Sequence, residues 1–134
     1  MTLAIEPQDK HATVIHIEGS LDGATYGQLM VEAQKLLAEG TRLLVLDFGS
    51  CDYMSSAGLM ALTAIFKQMR DLTRNETDAS WATKNAMERA GELGPARQLV
   101  VVNPCPPVER VLTLAGVQSY IPIYQDIGQA LAKQ

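Results

Sequence analysis

From Ala12 to Glu18 the chain reads A-T-V-I-H-I-E, with Thr13, Ile15 and Ile17 on one side and Val14, His16 and Glu18 on the other. This alternation of mostly β-branched residues predicts a strand with one better-buried face. After Gly19-Ser20-Leu21-Asp22-Gly23 the period changes. Leu29, Ala33, Leu36 and Leu37 recur at helical spacing, predicting a helix over 24–38 that stops at Glu39-Gly40, where glycine takes the left-handed conformation without a steric penalty. Residues 42–48, R-L-L-V-L-D-F, form a short and nearly unbroken apolar run, the pattern of a strand covered on both faces in a parallel sheet. Strand, helix and strand in that order predict a crossover unit.

A second amphipathic pattern runs from Leu59 to Leu72, with Leu59, Leu62, Ile65, Phe66 and Met69 on one stripe and Lys67, Gln68, Arg70 and Asp71 mostly away from it. It predicts a helix beginning just past the paired serines Ser55 and Ser56. Residues 73–97 are polar and mixed in charge, with breakers at Gly91, Gly94 and Pro95. They predict a partly helical surface excursion with a short helix over 82–90. Gln98 to Val102 returns to the buried-strand pattern. Pro104, Pro106 and Pro107 then lead into V-E-R-V-L-T-L-A, closed by Gly116, with proline before a helix and glycine after it. A last strand over 119–124 is pushed to the sheet edge by Pro122, and Asp126 caps a final amphipathic turn carrying Ile127, Ala130 and Leu131. The expected architecture is β(β)αβαβαβα. It is an α/β domain with a mixed, mostly parallel central sheet and about four helices, one unit over 1–134 with an insertion at about 73–97.

Composition narrows the function. At 134 residues and 47% hydrophobic, the chain is long enough to bury a sizeable core. A formal charge of -4 with no block of like charge argues against nucleic acid or an anionic membrane as partner. The first ten residues lack the basic and apolar regions of a signal peptide, and no run approaches a membrane span, so a soluble, cytoplasmic chain is expected. Cys51 and Cys105 are far apart in sequence and in no C-x-x-C arrangement. They are expected to be buried, reduced thiols without a redox role.

The candidate chemistry centres on Y-M-S-S-A-G-L, Tyr53 to Leu59. An attacking serine needs a base, and only His11 and His16 are available, with no G-x-S-x-G turn around Ser55 or Ser56. No catalytic residue is assigned, and His16, mid-strand, is expected to be a hydrogen-bonded structural residue. No metal-ligand spacing and no phosphate-cradling glycine loop occurs, so neither metal nor cofactor is expected. Asp47 and Asp52 are expected to be solubilising loop carboxylates rather than a Mg²⁺ or phosphoacceptor pocket. Two uses remain for the serines. One is helix capping. The other is a phosphorylation switch, in which a helix start favours the phosphate while Asp47 and Asp52 oppose its charge.

Three blocks, E-G-S-L-D-G-A-T at 18–25, L-L-V-L-D-F-G-S-C-D-Y-M-S-S-A-G-L at 43–59 and L-T-L-A-G-V-Q-S-Y-I-P-I-Y at 112–124, together resemble a STAS domain of the anti-sigma-factor antagonist family. The family motif D-S-S-G-L opens the second helix, and the serine two places before the glycine is phosphorylated by an anti-sigma type kinase. The matching position here is Ser56. Ser55 replaces the motif's aspartate, and Ala57 its second serine. Asp22 matches a family position implicated in partner contact. The resemblance implies a non-enzymatic switch that binds an anti-sigma factor or serine kinase when unphosphorylated and is released by phosphorylation of Ser56. It also implies a partner surface of Asp22, Ser55, Ser56, Ala57, Gly58 and Leu59, a cognate phosphatase, and room for a weak homodimer. The alternative is a STAS scaffold or sensor subunit that reads a ligand or partner through the insertion at 73–97, with Trp81 as an exposed anchor.

Overall fold

The computed structural model describes residues 1–9, 11–81 and 97–132, the side chains of 74–81 excepted. Its five strands are β1 (Thr2–Pro7), β2 (Ala12–Leu21), β3 (Leu43–Met54), β4 (Gln98–Val102) and β5 (Ile123–Tyr124). They lie in that same order across one sheet. β1 runs antiparallel to β2, and the other three pairings are parallel. The helices are α1 (Tyr26–Ala38), α2 (Ser56–Trp81), α3 (Pro106–Leu114) and α4 (Ile127–Ala132), with a 3₁₀ turn over Val117–Ser119. The mixed α/β architecture is the expected one, and β1 takes the place held open beside the first strand.

The alternation in β2 and β3 divides the core. Ile15, Ile17, Leu44 and Leu46 face one side with Leu29 and Ala33 of α1, Leu62, Ile65 and Met69 of α2, and Leu112 of α3. Val14, Val45, Val100 and Val102 face the other, where Ala130, Ile127 and Leu131 of the short α4 cover them. At roughly 1.5–3 kcal/mol for each fully buried aliphatic side chain, the two clusters dominate the stabilisation. Asp126 caps α4 as expected, its Oδ1 accepting from the Gln129 amide at 2.7 Å.

Several boundaries depart from the periodic pattern. β3 does not stop at Phe48 but continues to Met54. β2 runs on beside it, pairing Glu18 with Ser50 and Leu21 with Met54, with register shifts after His16 and after Gly19. Asp47 and Asp52 therefore sit on a strand, not in a loop. α2 begins at Ser56 rather than Leu59 and continues past Leu72 to Trp81. Residues 73–81 contain neither glycine nor proline, so nothing in the backbone stops the helix where its apolar stripe ends. The short helix expected over 82–90 and the side chain of Trp81 lie outside the described residues. Pro122 has the foreseen effect, and only Ile123–Tyr124 remain as edge strand. Cys51 is buried but Cys105 only half so.

Candidate functional site

The carboxyl ends of β2 and β3 stop side by side, and both chains turn into helices there. Asp22 shapes the first turn. Its Oδ1 accepts from the Ala24 amide at 2.9 Å, its carbonyl from the Tyr26 amide at 2.8 Å, and its own amide donates to Thr25 Oγ1 at 2.9 Å. The second turn is tied to the first by the Ser55 amide, which donates to the Leu21 carbonyl at 3.0 Å.

The two serines then separate. Ser55 is the cap: its Oγ accepts from the Ala57 amide at 3.2 Å and its carbonyl from the Leu59 amide at 3.1 Å. Capping of this kind stabilises a helix by about 1 kcal/mol. Ser56 is the first helical residue and exposed, and its hydroxyl makes no hydrogen bond among the described residues. No acidic side chain occupies the first turn of α2, so the positive end of the helix dipole is uncompensated there. His16 is not a base for either hydroxyl, because both of its ring nitrogens are committed elsewhere.

The other implied partner residues differ in what they can offer. Ala57 and Leu59 are half-buried, and Leu59 packs against the core. Gly58 is buried, and a Cβ on it would lie 2.9 Å from the Leu21 carbonyl oxygen and 2.8 Å from Met54 Cγ. Glycine is needed there because α2 crosses the end of β2 in near contact. Its influence on a partner would be indirect, through the position of the helix start. Sequence reasoning passed over three exposed apolar side chains around this edge: Tyr53 at 53%, Met60 at 68% and Tyr26 at 42% exposure. Met60 stands four residues after Ser56 and shares its helix face. Large aromatic and Met side chains left in water are the usual anchors of a protein interface. For Met60 the signal was an apolar residue off the buried stripe of the helical pattern.

Farther down the same strands, His16 Nδ1 lies 2.7 Å from Asp47 Oδ2 and Nε2 lies 2.6 Å from Glu6 Oε2. Asp47 Oδ1 also accepts from the Gly49 amide at 2.9 Å. An imidazole between two carboxylates donates from both nitrogens. The Glu6 hydrogen bond, followed by the contact with Asp47, raises the His16 pKa above its usual 6.5 against an opposing effect of burial. The hydrogen bond to His16 likewise holds Glu6 below 4.5. This fulfils the structural role expected of His16 and gives Asp47 a partner.

The site is thus a capped helix start at the carboxyl edge of parallel strands, with an exposed serine that makes no hydrogen bond among the described residues and exposed apolar side chains on the elements that meet there. A family model described as "Mlab, STAS domain" matches residues 6–75, more than half of the chain, and the chain belongs to the STAS domain family. It is 38% identical over 56 residues to the "Putative anti-sigma factor antagonist BtrV" of Bordetella bronchiseptica, a match spanning 42% of this chain. The chain thus spans about half (48%) of that relative's length. Among solved structures it is similar to an anti-sigma factor antagonist from Mycobacterium paratuberculosis, with a TM-score of 0.73, 22% identity, and coverage of 98% of this chain and 92% of that one. It is also similar to SpoIIAA in its unphosphorylated form, with a TM-score of 0.68, 16% identity and coverage of 98% and 95%. The phosphorylated form of the Bacillus SpoIIAA aligns with a TM-score of 0.61, 15% identity and 98% coverage of both chains. At these identities the structural likeness is one of fold. Among the described residues no helix is long and apolar enough to cross a membrane.

Proposed function

We propose that this STAS chain is an anti-sigma-factor antagonist working as a phosphorylation switch. Unphosphorylated, it docks an anti-sigma factor with serine-kinase activity through the edge formed by Asp22, the start of α2 and the exposed Tyr26, Tyr53 and Met60. Docking frees the partner's client. The kinase then transfers phosphate from its own ATP to Ser56, and the antagonist is released. A phosphatase resets the state, and the cycle belongs in the cytoplasm, where ATP and the kinase are found. The chain supplies the acceptor and the surface but no catalytic group.

The observation that carries this reading is the division of labour between the serines. With Ser55 serving the cap, Ser56 is exposed and its hydroxyl makes no hydrogen bond among the described residues. The helix start tolerates an added anion, because free amides and the dipole favour it. The fold therefore survives phosphorylation. A docked interface does not, because roughly two added negative charges must be desolvated against the partner. The resemblance to BtrV and to the solved antagonists supports the choice of partner class. Titration of the kinase with Ser56→Asp and Ser56→Ala tests the release step. The account expects Ser56→Asp to bind at least about tenfold more weakly, roughly 1.4 kcal/mol, with Ser56→Ala close to wild type. Equal affinity of Ser56→Asp and wild type would remove the electrostatic release.

A further inference from the structure

We propose that Cys51 and Cys105 form a peroxide-sensitive thiol pair that closes to an intramolecular disulfide between β3 and the start of α3. The two are 54 positions apart in sequence, yet Cys105 Sγ lies 2.7 Å from the Cys51 carbonyl oxygen. Cys51 Sγ in turn lies 3.3 Å from the Tyr53 carbonyl oxygen. Both sulfurs therefore point at main-chain oxygens of one short stretch of β3, and both belong to the same packed cluster. Neither is locked by a strong partner, since S–H is a weak donor. Cys105 sits at the N-cap of α3 without a side-chain capping bond, so its side chain can turn toward Cys51 without breaking the helix start.

The two thiols are unequal, which orders the chemistry. Cys51 is fully buried, and burial pushes its thiol pKa up, so it resists direct oxidation. Cys105 is half-buried and within reach of a small hydroperoxide. Its sulfur attacks the peroxide, the O–O bond breaks, and Cys105 becomes a sulfenic acid while the other oxygen leaves as an alcohol or as water carrying the thiol proton. The Cys51 sulfur then attacks Cys105 sulfur. The S–S bond forms, the S–O bond breaks, and the hydroxyl departs as water with the second thiol proton. Two thiols are oxidised and one peroxide is reduced. The bridge would tie α3 to the strand that delivers Met54 under Gly58 and leads into Ser55. Bridges of this kind in a reducing compartment are transient and reversed by thiols.

The test is treatment of the full chain with hydrogen peroxide, followed by denaturing alkylation and mass spectrometry, on wild type and Cys105→Ser. Wild type is expected to lose both alkylatable thiols and about 2 Da, to yield a peptide pair joined through Cys51 and Cys105, and to recover both thiols with dithiothreitol. Cys105→Ser is expected to keep Cys51 alkylatable. Added oxygen on Cys105 with Cys51 still free, a disulfide between two chains, Cys51 consumed in Cys105→Ser, or no change in wild type would each overturn the proposal.

Discussion

The start of α2 and the contact among β1, β2 and β3 around His16 both gather polar side chains from separate segments, but they leave them in opposite states. At His16 each ring nitrogen has a carboxylate partner, and Asp47 takes a main-chain amide as well. At α2 the cap is satisfied by Ser55 while Ser56, next to it, keeps an exposed hydroxyl with no bond among the described residues. The first arrangement commits both ring nitrogens of the imidazole and joins three strands. The second has spent only one of two hydroxyls on the fold, and the other is left exposed on the same helix face as the exposed Met60. Polar residues become candidates for function where local structure does not use them up.

The contrast can be broken most forcefully at Gly58. Gly58→Ala adds a methyl group against the Leu21 carbonyl, which cannot swing aside as a side chain can. Despite alanine's better helix propensity, a net destabilisation of about 1–3 kcal/mol is expected in urea unfolding. Ser55→Ala should cost about 1 kcal/mol, since it removes the cap. Ser56→Ala should stay within about 0.5 kcal/mol of wild type in the same assay, because no bond is lost. If the two serine variants cost the same, the assignment of cap and free hydroxyl is wrong.

The smallest effect concerns the His16 contact and is read by pH. The folded-state pKa of His16 is raised, so its contribution is fully present below about 6.5 and fades as pH rises through the higher folded value. That of Glu6 is lowered, so its contribution is present above about 4.5 and fades as pH falls through the lower folded value. Glu18 lines the same shallow cleft as His16 and Asp47. The edge strand β1 should therefore be held best between these limits. Amide exchange in β1, corrected for intrinsic rates, is expected to be a few-fold better protected near pH 6 than near pH 8, and His16→Gln should flatten the difference. Equal pH dependence in His16→Gln would assign it to other groups.

Much of the fold was legible because periodicity reports which face is buried. The change from period two in 12–18 to helical spacing in 24–38, and the apolar run of 43–48, were enough to order the layers. The ends of elements were less legible. β3 continues through the polar stretch Gly49–Tyr53 because β2 extends beside it, a pairing invisible in either segment alone. α2 outlasts its apolar stripe because nothing breaks it. At the candidate site, the motif singled out Ser56, but the different jobs of the two serines rest on the direction of one hydrogen bond. Glu6 as the partner of His16 and the meeting of Cys51 with Cys105 depend on strand register and long-range packing, which local patterns do not encode.

Phosphate mapping on the chain after incubation with its anti-sigma kinase and ATP bears most directly on the central claim. The account predicts phosphate on Ser56, retained in Ser55→Ala and absent in Ser56→Ala. Phosphate on Ser55, phosphate only outside Tyr53 to Gly58, or no phosphate at all would contradict it.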